Sequence, residues 1–205
     1  MYIPDIYKNH NQAEIEGFLK NNSFGILVNQ TNGRLWATHI PLELEHKNGK
    51  AFLCGHISKE NPQWEGFTDN NQVLAVFSGP HAYISSSWYD HENVPTWNYI
   101  AVHVYGKVKI VDEKTTIAML KQLVDKYESN SENPVRIENL SKKTMLQARG
   151  IVGFEIEIES IEATRKMSQN RNEKNYNTII EKLSETKTDN GVAVAEEMRR
   201  CPIHK

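Results

Sequence analysis

Along the first half of the chain the hydrophobic positions fall in short runs, alternating or continuous, separated by turn residues, and this is the pattern of strands. SFGILVN predicts a first strand, ended by QTNG, whose Asn32-Gly33 pair is a strong hairpin signal. RLWATHIPLELE predicts one long second strand in which Pro41, without an N–H, implies a bulge or an edge position. A second Asn-Gly pair, Asn48-Gly49, leads into AFLCGHI, so three strands joined by two tight turns predict an antiparallel meander. Asn61-Pro62 then reads as a helix start, with asparagine accepting from orphan amides and proline at the first helical position. The continuous run VLAVFSG predicts a strand buried on both faces, HAYIS another, and TWNYIAVHVYGKVKIV the longest strand of all.

The period then changes. TTIAMLKQLVDKYE places Ile117, Leu120, Leu123, Val124 and Tyr127 at helical spacing, with Lys121, Lys126 and Glu128 toward water. SENPV breaks this helix, and SKKTMLQA predicts a shorter one. In VGFEIEIESIEA, Phe154, Ile156, Ile158 and Ile161 are interleaved with glutamates, as in a strand with one wet face. From about Asn175 the chain reads as two helices, YNTIIEKLSE and VAVAEEMRR, with a turn at Asp189-Asn190-Gly191 between them. Six or seven strands with short turns, interrupted by helices in the later part, predict a mainly β domain, an antiparallel barrel with helices over its openings or edges; a β-sandwich satisfies the same periods.

Composition bounds this picture. With 205 residues, 39% of them hydrophobic, one main domain with an appendage is expected. The formal charge of −2, with acids and bases interspersed, gives no footprint for nucleic acid, and Lys107 to Lys109 reads as a solvated strand face. No apolar run approaches the roughly 20 residues that span a bilayer, and MYIPDIYKNH lacks the pattern of a signal peptide, so a cytoplasmic protein without membrane contact is expected. Of the two cysteines, Cys54 reads as a small buried hydrophobe; Cys201 and His204, three apart, do not make a metal site. His39, His56, His81, His91 and His103 crowd the strand-rich half without metal-ligand spacing, so no metal is predicted and haem ligation stands as an alternative. The run Ser85 to Ser87 lacks the G-x-S-x-G frame of a hydrolase.

The densest polar and aromatic stretch runs from GHISKENPQW through SGPHAYISSSWYDHENVPTWNY. Flat aromatic faces suit a planar ring, hydroxyls and a lysine suit a phosphate, and side-chain amides suit a ring bearing both donors and acceptors. A flavin nucleotide requires all three. Ser58 and Lys59, at a strand end just before the Asn61-Pro62 helix start, could hold a phosphate between hydroxyl, ammonium and backbone amides; a capping serine beside an exposed lysine gives the same string. His39 and His56 fall on neighbouring strands of the expected meander and could face one ligand, or be two core histidines.

These strings, taken together, carry a resemblance. MYIP, ATHIPLEL, GHISKENPQW, FSGPHAYISSSWY, VPTWNY with AVHVYG, and GFEIEIESIEATRKMSQNR are similar, in the same order from Met1 to about Leu183, to the PaiB-type family of flavin-binding proteins. Its original members were described as negative regulators of sporulation and protease genes. The resemblance implies an FMN-binding split β-barrel over residues 1–170 with a C-terminal helical appendage over 171–205, related to pyridoxamine-phosphate oxidases and assembled as a homodimer with FMN at the subunit interface. Those oxidases hold the cofactor phosphate with a Ser-Arg-Lys string. Here Ser58 is followed directly by Lys59, so the arginine is absent; both residues carry over, with His56 and Asn61 as neighbours. Ala37, Thr38 and His39 resemble the early strand passing the flavin ring, and Trp97, Asn98 and Tyr99 the later wall, facing either the same subunit or its partner. Lys166 to Asn170 resembles the family's late motif, in which Lys166 and Gln169 would close the site; a capped strand-to-helix junction at Ser168 or Asn170 is the alternative.

The function expected from this is FMN binding and flavin-dependent oxidoreduction on an unassigned substrate, with no essential acid or base required and His39 or Tyr99 as candidate proton donor. A transcriptional regulator acting directly on DNA or through metabolite binding is the second reading. For direct contact the sequence offers no helix-turn-helix pattern and one basic helix end, Met198-Arg199-Arg200. A haem-binding split barrel is the third.

Overall fold

A computed structural model of the chain describes residues 1–68, 71–201 and 203. Among the described residues, seven strands and five α-helices follow one another as α1 (Gln12–Asn21), β1 (Phe24–Thr31), β2 (Arg34–Pro41), β3 (Glu43–Lys47), β4 (Lys50–Ser58), β5 (Gln72–Ile84), β6 (Thr96–Ile110), α2 (Glu113–Tyr127), α3 (Lys142–Met145), β7 (Ile151–Lys166), α4 (Glu173–Glu185) and α5 (Asp189–Arg200). The strands form one sheet in the order β2-β1-β5-β6-β7-β4-β3. The chain divides into two compact units: the first holds residues 1–15, 78–103 and 162–205, the second residues 16–77 and 104–161.

In the second unit both Asn-Gly turns are as the sequence predicts. Asn32 and Gly33 have φ of 52° and 77°, Asn48 and Gly49 of 51° and 77°, the left-handed pairs that a two-residue hairpin turn needs. The pairs Thr31↔Arg34 and Lys47↔Lys50 close the two hairpins. The expected meander is not formed, however. RLWATHIPLELE is two strands, not one: β2 ends at Pro41 and pairs with β1, while β3 starts at Glu43 and pairs with β4. Pro41 cannot donate to a ladder, and Leu42 turns inward, fully buried, its amide donating to the Ser23 carbonyl at 2.8 Å. The edge position inferred from Pro41 is where the sheet order puts β2.

This break shapes the second unit, which holds all of β1 to β4 and the adjoining parts of β5, β6 and β7. Its two outermost strands, β2 and β3, are joined by one residue. Seven flat strands would separate those edges by about 29 Å, six spacings of about 4.8 Å. The two steps from Pro41 to Glu43 reach at most about 7.6 Å. The sheet must therefore roll until its edges meet, which is the split barrel. Gly55 on β4 marks the meeting: a Cβ there would lie 2.9 Å from Leu42 Cδ2 and 3.2 Å from the Pro41 carbonyl oxygen, so a larger residue would have to push Leu42 aside. Leu27, Leu53, Phe77, Phe154 and Ile156 fill the interior, and Phe67 meets Phe154 edge-on at 5.0 Å. Cys54 is buried and free, as its apolar setting implies, and burial above all pushes its thiol up to about 12.

In the first unit α4 turns Tyr176, Ile179, Ile180 and Leu183 inward at helical spacing, against Val194, Ala195 and Met198 of α5 and against Ile84, Tyr89 and Met167. The Tyr176 hydroxyl is shared between the carbonyls of Met198 and Cys201, at 2.5 and 2.9 Å. The turn expected at Asp189-Asn190-Gly191 falls earlier. Thr188 caps α5 by accepting from the Gly191 amide at 3.1 Å, and the chain reverses at Lys187, whose φ is 54°. VLAVFSG and HAYIS are one strand, β5, because the φ of Pro80 suits extended backbone and only its own N–H is lost. Helix α1 was not legible: Ile15 and Leu19 are its only buried side chains, too few for a period, and its start is set by Asn11 accepting from the amides of Ala13 and Glu14. No helix among the described residues is long and apolar enough to cross a membrane.

Replacing Leu42 with alanine is expected to lower unfolding free energy by about 2–5 kcal/mol, because the joint between the barrel edges cannot relax into the space left. Leu35→Ala on β2, at a position 75% exposed, should change it by no more than about 0.5 kcal/mol. Urea unfolding of both variants checks the contrast.

Candidate cofactor-binding site

The predicted residues fall into two groups, one in each unit. In the second unit they collect where β2 and β4 end. Along β2 side chains alternate in direction. Thr38 stands opposite buried Leu27 in the β1 ladder and is half-buried, whereas Ala37 and His39 are exposed on the other face. Asn61 Nδ2 donates to Thr38 Oγ1 at 2.9 Å, and Asn61 Oδ1 accepts from the Gln63 amide at 3.0 Å, capping the short 3-10 turn Pro62–Gly66. The helix start read from Asn61-Pro62 is thus this turn, pinned to β2 by its own cap.

Ser58 and Lys59 lie just before that cap, both exposed. Ser58 Oγ accepts from the Glu60 amide at 3.2 Å, which leaves its proton free to donate. The Lys59 amide donates to the Gly150 carbonyl at 2.9 Å, and its carbonyl accepts from the Trp64 indole at 2.9 Å. Lys59 lines a cleft of about 220 Å³ with Arg149, Thr116, Glu113 and Gly153 among its other walls. Neither Lys59 nor Arg149 has an ion-pair partner among the described residues. His56 lies elsewhere, half-buried in a small hollow with Cys54, Glu43 and Glu45. Strands β2 and β4 are not hydrogen-bonded neighbours, so the expected facing of His39 and His56 across adjacent strands does not occur; His39 instead stands 6.4 Å from the Phe24 ring.

In the first unit Trp97, Asn98 and Tyr99 are consecutive on β6, so Asn98 lies on the opposite face from the other two. Asn98 is fully buried, accepting from Ser168 Oγ at 3.0 Å and donating toward Met198 Sδ at 3.5 Å. Tyr99 is half-buried, and Trp97 is 53% exposed beside Tyr83, itself 48% exposed, and His81, each 6.1 Å away between ring centroids. Gln169 is buried, and its amide is occupied by backbone: Oε1 accepts from Met167 N at 2.7 Å and Nε2 donates to Arg165 O at 2.7 Å. It fixes the turn after β7, where Ser168 has φ of 58°. Lys166 is half-buried and donates to Thr96 Oγ1 at 2.5 Å; burial, then the Arg171 charge, hold it below the usual lysine value. His204 lies outside the described residues.

Sequence reading missed Arg149, Thr116, Tyr83 and Thr96. Arg149 is a lone arginine 90 positions from Lys59, and only the Lys59–Gly150 backbone bond reveals that they share a cleft. Tyr83 is one of several aromatics in its stretch, and nothing in the spacing marks it as exposed.

A rolled antiparallel sheet with a hydroxyl, an unpaired ammonium and a guanidinium at one strand end, and exposed rings elsewhere, has the parts of a split-barrel flavin domain. The chain belongs to the family described as "Putative FMN-binding domain", matched over residues 1–160, and FMN is the cofactor that family is defined by. It is 45% identical over 199 residues to the protease synthase and sporulation protein PAI 2 of Bacillus subtilis, covering 97% of this chain and 96% of that one. Two solved structures share the fold at low identity. The flavocytochrome Anf3 of Azotobacter vinelandii matches with a TM-score of 0.61 at 14% identity, over 80% of this chain and 72% of that one. The FAD- and haem-binding protein of Mycobacterium smegmatis matches with a TM-score of 0.59 at 12% identity, over 78% and 73%.

Burial holds the His56 imidazole below its ordinary 6.5, and burial does the same for His103. A base depressed in the folded state leaves the unfolded chain binding more protons below that value, so stability falls as pH drops below about 6.5 and levels off under the folded pKa. His56→Gln is expected to make this fall shallower in urea midpoints measured between about pH 7 and 5. Parallel curves for the two proteins would contradict it.

Proposed function

We propose that the chain is a flavin-dependent oxidoreductase that works as a homodimer, with the FMN phosphate gripped where β4 ends. The observation that carries this reading is the cleft shared by two unpaired cations, Lys59 and Arg149. The Ser-Arg-Lys string of pyridoxamine-phosphate oxidases has lost its arginine here. Arg149 restores a guanidinium from a distant segment, held beside Lys59 by the Lys59–Gly150 bond. Ser58 adds a hydroxyl donor, while Thr38 and Asn61 hold the corner's shape. Glu113 on the same cleft wall limits the net positive charge to about one unit.

The donor set suits the cofactor at its other end as well. Exposed Ala37 and His39 on β2 offer a flat surface for the ring, with His39 as candidate proton donor. Trp97, Tyr83 and His81 form an aromatic face whose exposure is costly in water, and a second copy of the chain covering it accounts for that cost. Bound FMN supplies the redox chemistry. The protein's share is to bind it, orient it and shield it.

A regulatory role has one observation in favour, the name of the Bacillus subtilis relative. Direct DNA contact by the end of α5 is disfavoured, since Arg199 donates to Ser184 Oγ at 2.9 Å and Arg200 pairs with Glu197 at 3.0 Å. Regulation through a bound metabolite fits better.

FMN added to the purified chain is expected to survive gel filtration with its visible absorption bands. The pair Lys59→Met and Arg149→Gln should weaken FMN about 10- to 100-fold while riboflavin, which lacks the phosphate, binds as before. Equal loss for both ligands, or no flavin uptake at all, would overturn the reading.

A further inference from the structure

A second pair of cations stands unpaired in the first unit, at the far end of β7. The Lys166 ammonium, besides its bond to Thr96 Oγ1, lies 5.8 Å from the centroid of the Tyr7 ring. Five residues on, the Arg171 guanidinium lies over the Tyr89 ring at 5.1 Å. Neither cation has a carboxylate partner among the described residues. The acid next in the chain to Tyr89 is Asp90, and it is already committed to His91, Lys174 and Asn175.

The polar atoms around this pair are also unanswered. Tyr89 is 8% exposed, yet its buried hydroxyl has no hydrogen-bond partner, and neither has Arg171 Nε. Native structures rarely leave such atoms alone unless something else meets them. The groups sense one another: Arg171 acts on the ionisation of both Lys166 and Tyr7, and Tyr89 on that of Tyr7, alongside the larger effect of burial. The turn between the cations is held firmly. Gln169 ties it to Met167 N and Arg165 O, and the Arg171 amide donates to Ser168 O at 3.0 Å. A fixed turn presenting two cations, with two aromatic phenol rings and a threonine hydroxyl beside them and no carboxylate paired with either cation among the described residues, is a set of donors.

We propose that Lys166, Arg171, Tyr7, Tyr89 and Thr96 form a binding site for the oxyanion, phosphate or carboxylate, of a small-molecule substrate. This rests on the reading of the chain as a flavin oxidoreductase, and it assigns that reaction a negatively charged substrate. A guanidinium and an ammonium select an oxyanion over a neutral or cationic group, and the phenol O–H donors fix its orientation. Gln169 is a positioning residue for the pair.

The test is calorimetric titration of inorganic phosphate, and separately of acetate, into the FMN-loaded full-length chain and into the cofactor-free chain. Saturable binding of at least one anion to the FMN-loaded protein is expected, weakened about tenfold or more by Lys166→Met or Arg171→Gln. Tyr89→Phe removes only an atom that has no partner in the fold, so it should weaken the anion severalfold without lowering the unfolding midpoint, a combination that a purely structural tyrosine would not give. Flavin absorption in each sample reports cofactor loading separately. If the chain takes up no FMN, the oxidoreductase reading fails, and anion binding to the cofactor-free chain still decides whether the oxyanion site exists. No saturable binding of either anion, or binding unaffected by all three substitutions, overturns the site. Anion binding to the cofactor-free chain alone, lost as FMN is added, assigns the oxyanion to the cofactor's own phosphate and overturns the substrate assignment.

Discussion

Everything in the second unit follows from a short tether. β2 and β3 are the outermost strands of a seven-stranded order, and a single residue, Leu42, joins them. No flat sheet satisfies that connection, so the sheet rolls, Gly55 gives up a side chain where the edges meet, and Leu42 is sealed at full burial. The same closure brings the end of β2 to the end of β4. There the Asn61 side chain can bridge from the cap of its own turn to Thr38, and the exposed pair Ser58-Lys59 is left on a defined corner. A barrel edge that would otherwise invite pairing with other chains is closed there.

The cations differ in whether the fold answers them with a carboxylate. Many lysines and arginines are answered locally: Lys50 by Glu157, Lys107 by Glu159, Lys126 by Glu43, and Arg165 by Glu14 and Glu197. Lys59 with Arg149, and Lys166 with Arg171, stand in unanswered pairs beside hydroxyls. For exposed side chains that would signify little; Lys166 and Arg171 are half-buried, where an uncompensated charge is expensive. That cost is understandable if an anion from outside the chain completes the Lys166–Arg171 pair; Lys59 and Arg149, both exposed, bear no such cost.

Much of this was readable from the sequence, and the limits have physical causes. The Asn-Gly turns declare themselves because few residues tolerate positive φ in succession, and the long period-two and period-3.6 segments that became β6, β7, α2 and α4 need no tertiary information. The split of RLWATHIPLELE was legible only as an anomaly at Pro41, because which strand pairs with which is decided by closure and not by local pattern. Helix α1 escaped notice since two buried residues make no period. At the site, Ser58 and Lys59 could be named because they are adjacent, whereas Arg149 and Arg171 join their partners across 90 and 82 residues of chain, Lys59 with Arg149 in one cleft and Tyr89 with Arg171 ring to guanidinium. Alternation along β6 then separates Asn98 from Trp97, a distinction that a run of attractive residue types conceals.

The central claim is that barrel closure builds a phosphate corner from Ser58, Lys59 and Arg149. Backbone amide shifts of the labelled chain, recorded with FMN and with riboflavin, test it most directly, since the two ligands differ only in the phosphate. The account predicts that the amides of residues 58–61 and 149–150 move with FMN and stay nearly still with riboflavin, while those around the ring move with both. Identical shifts at these positions for the two ligands would contradict it.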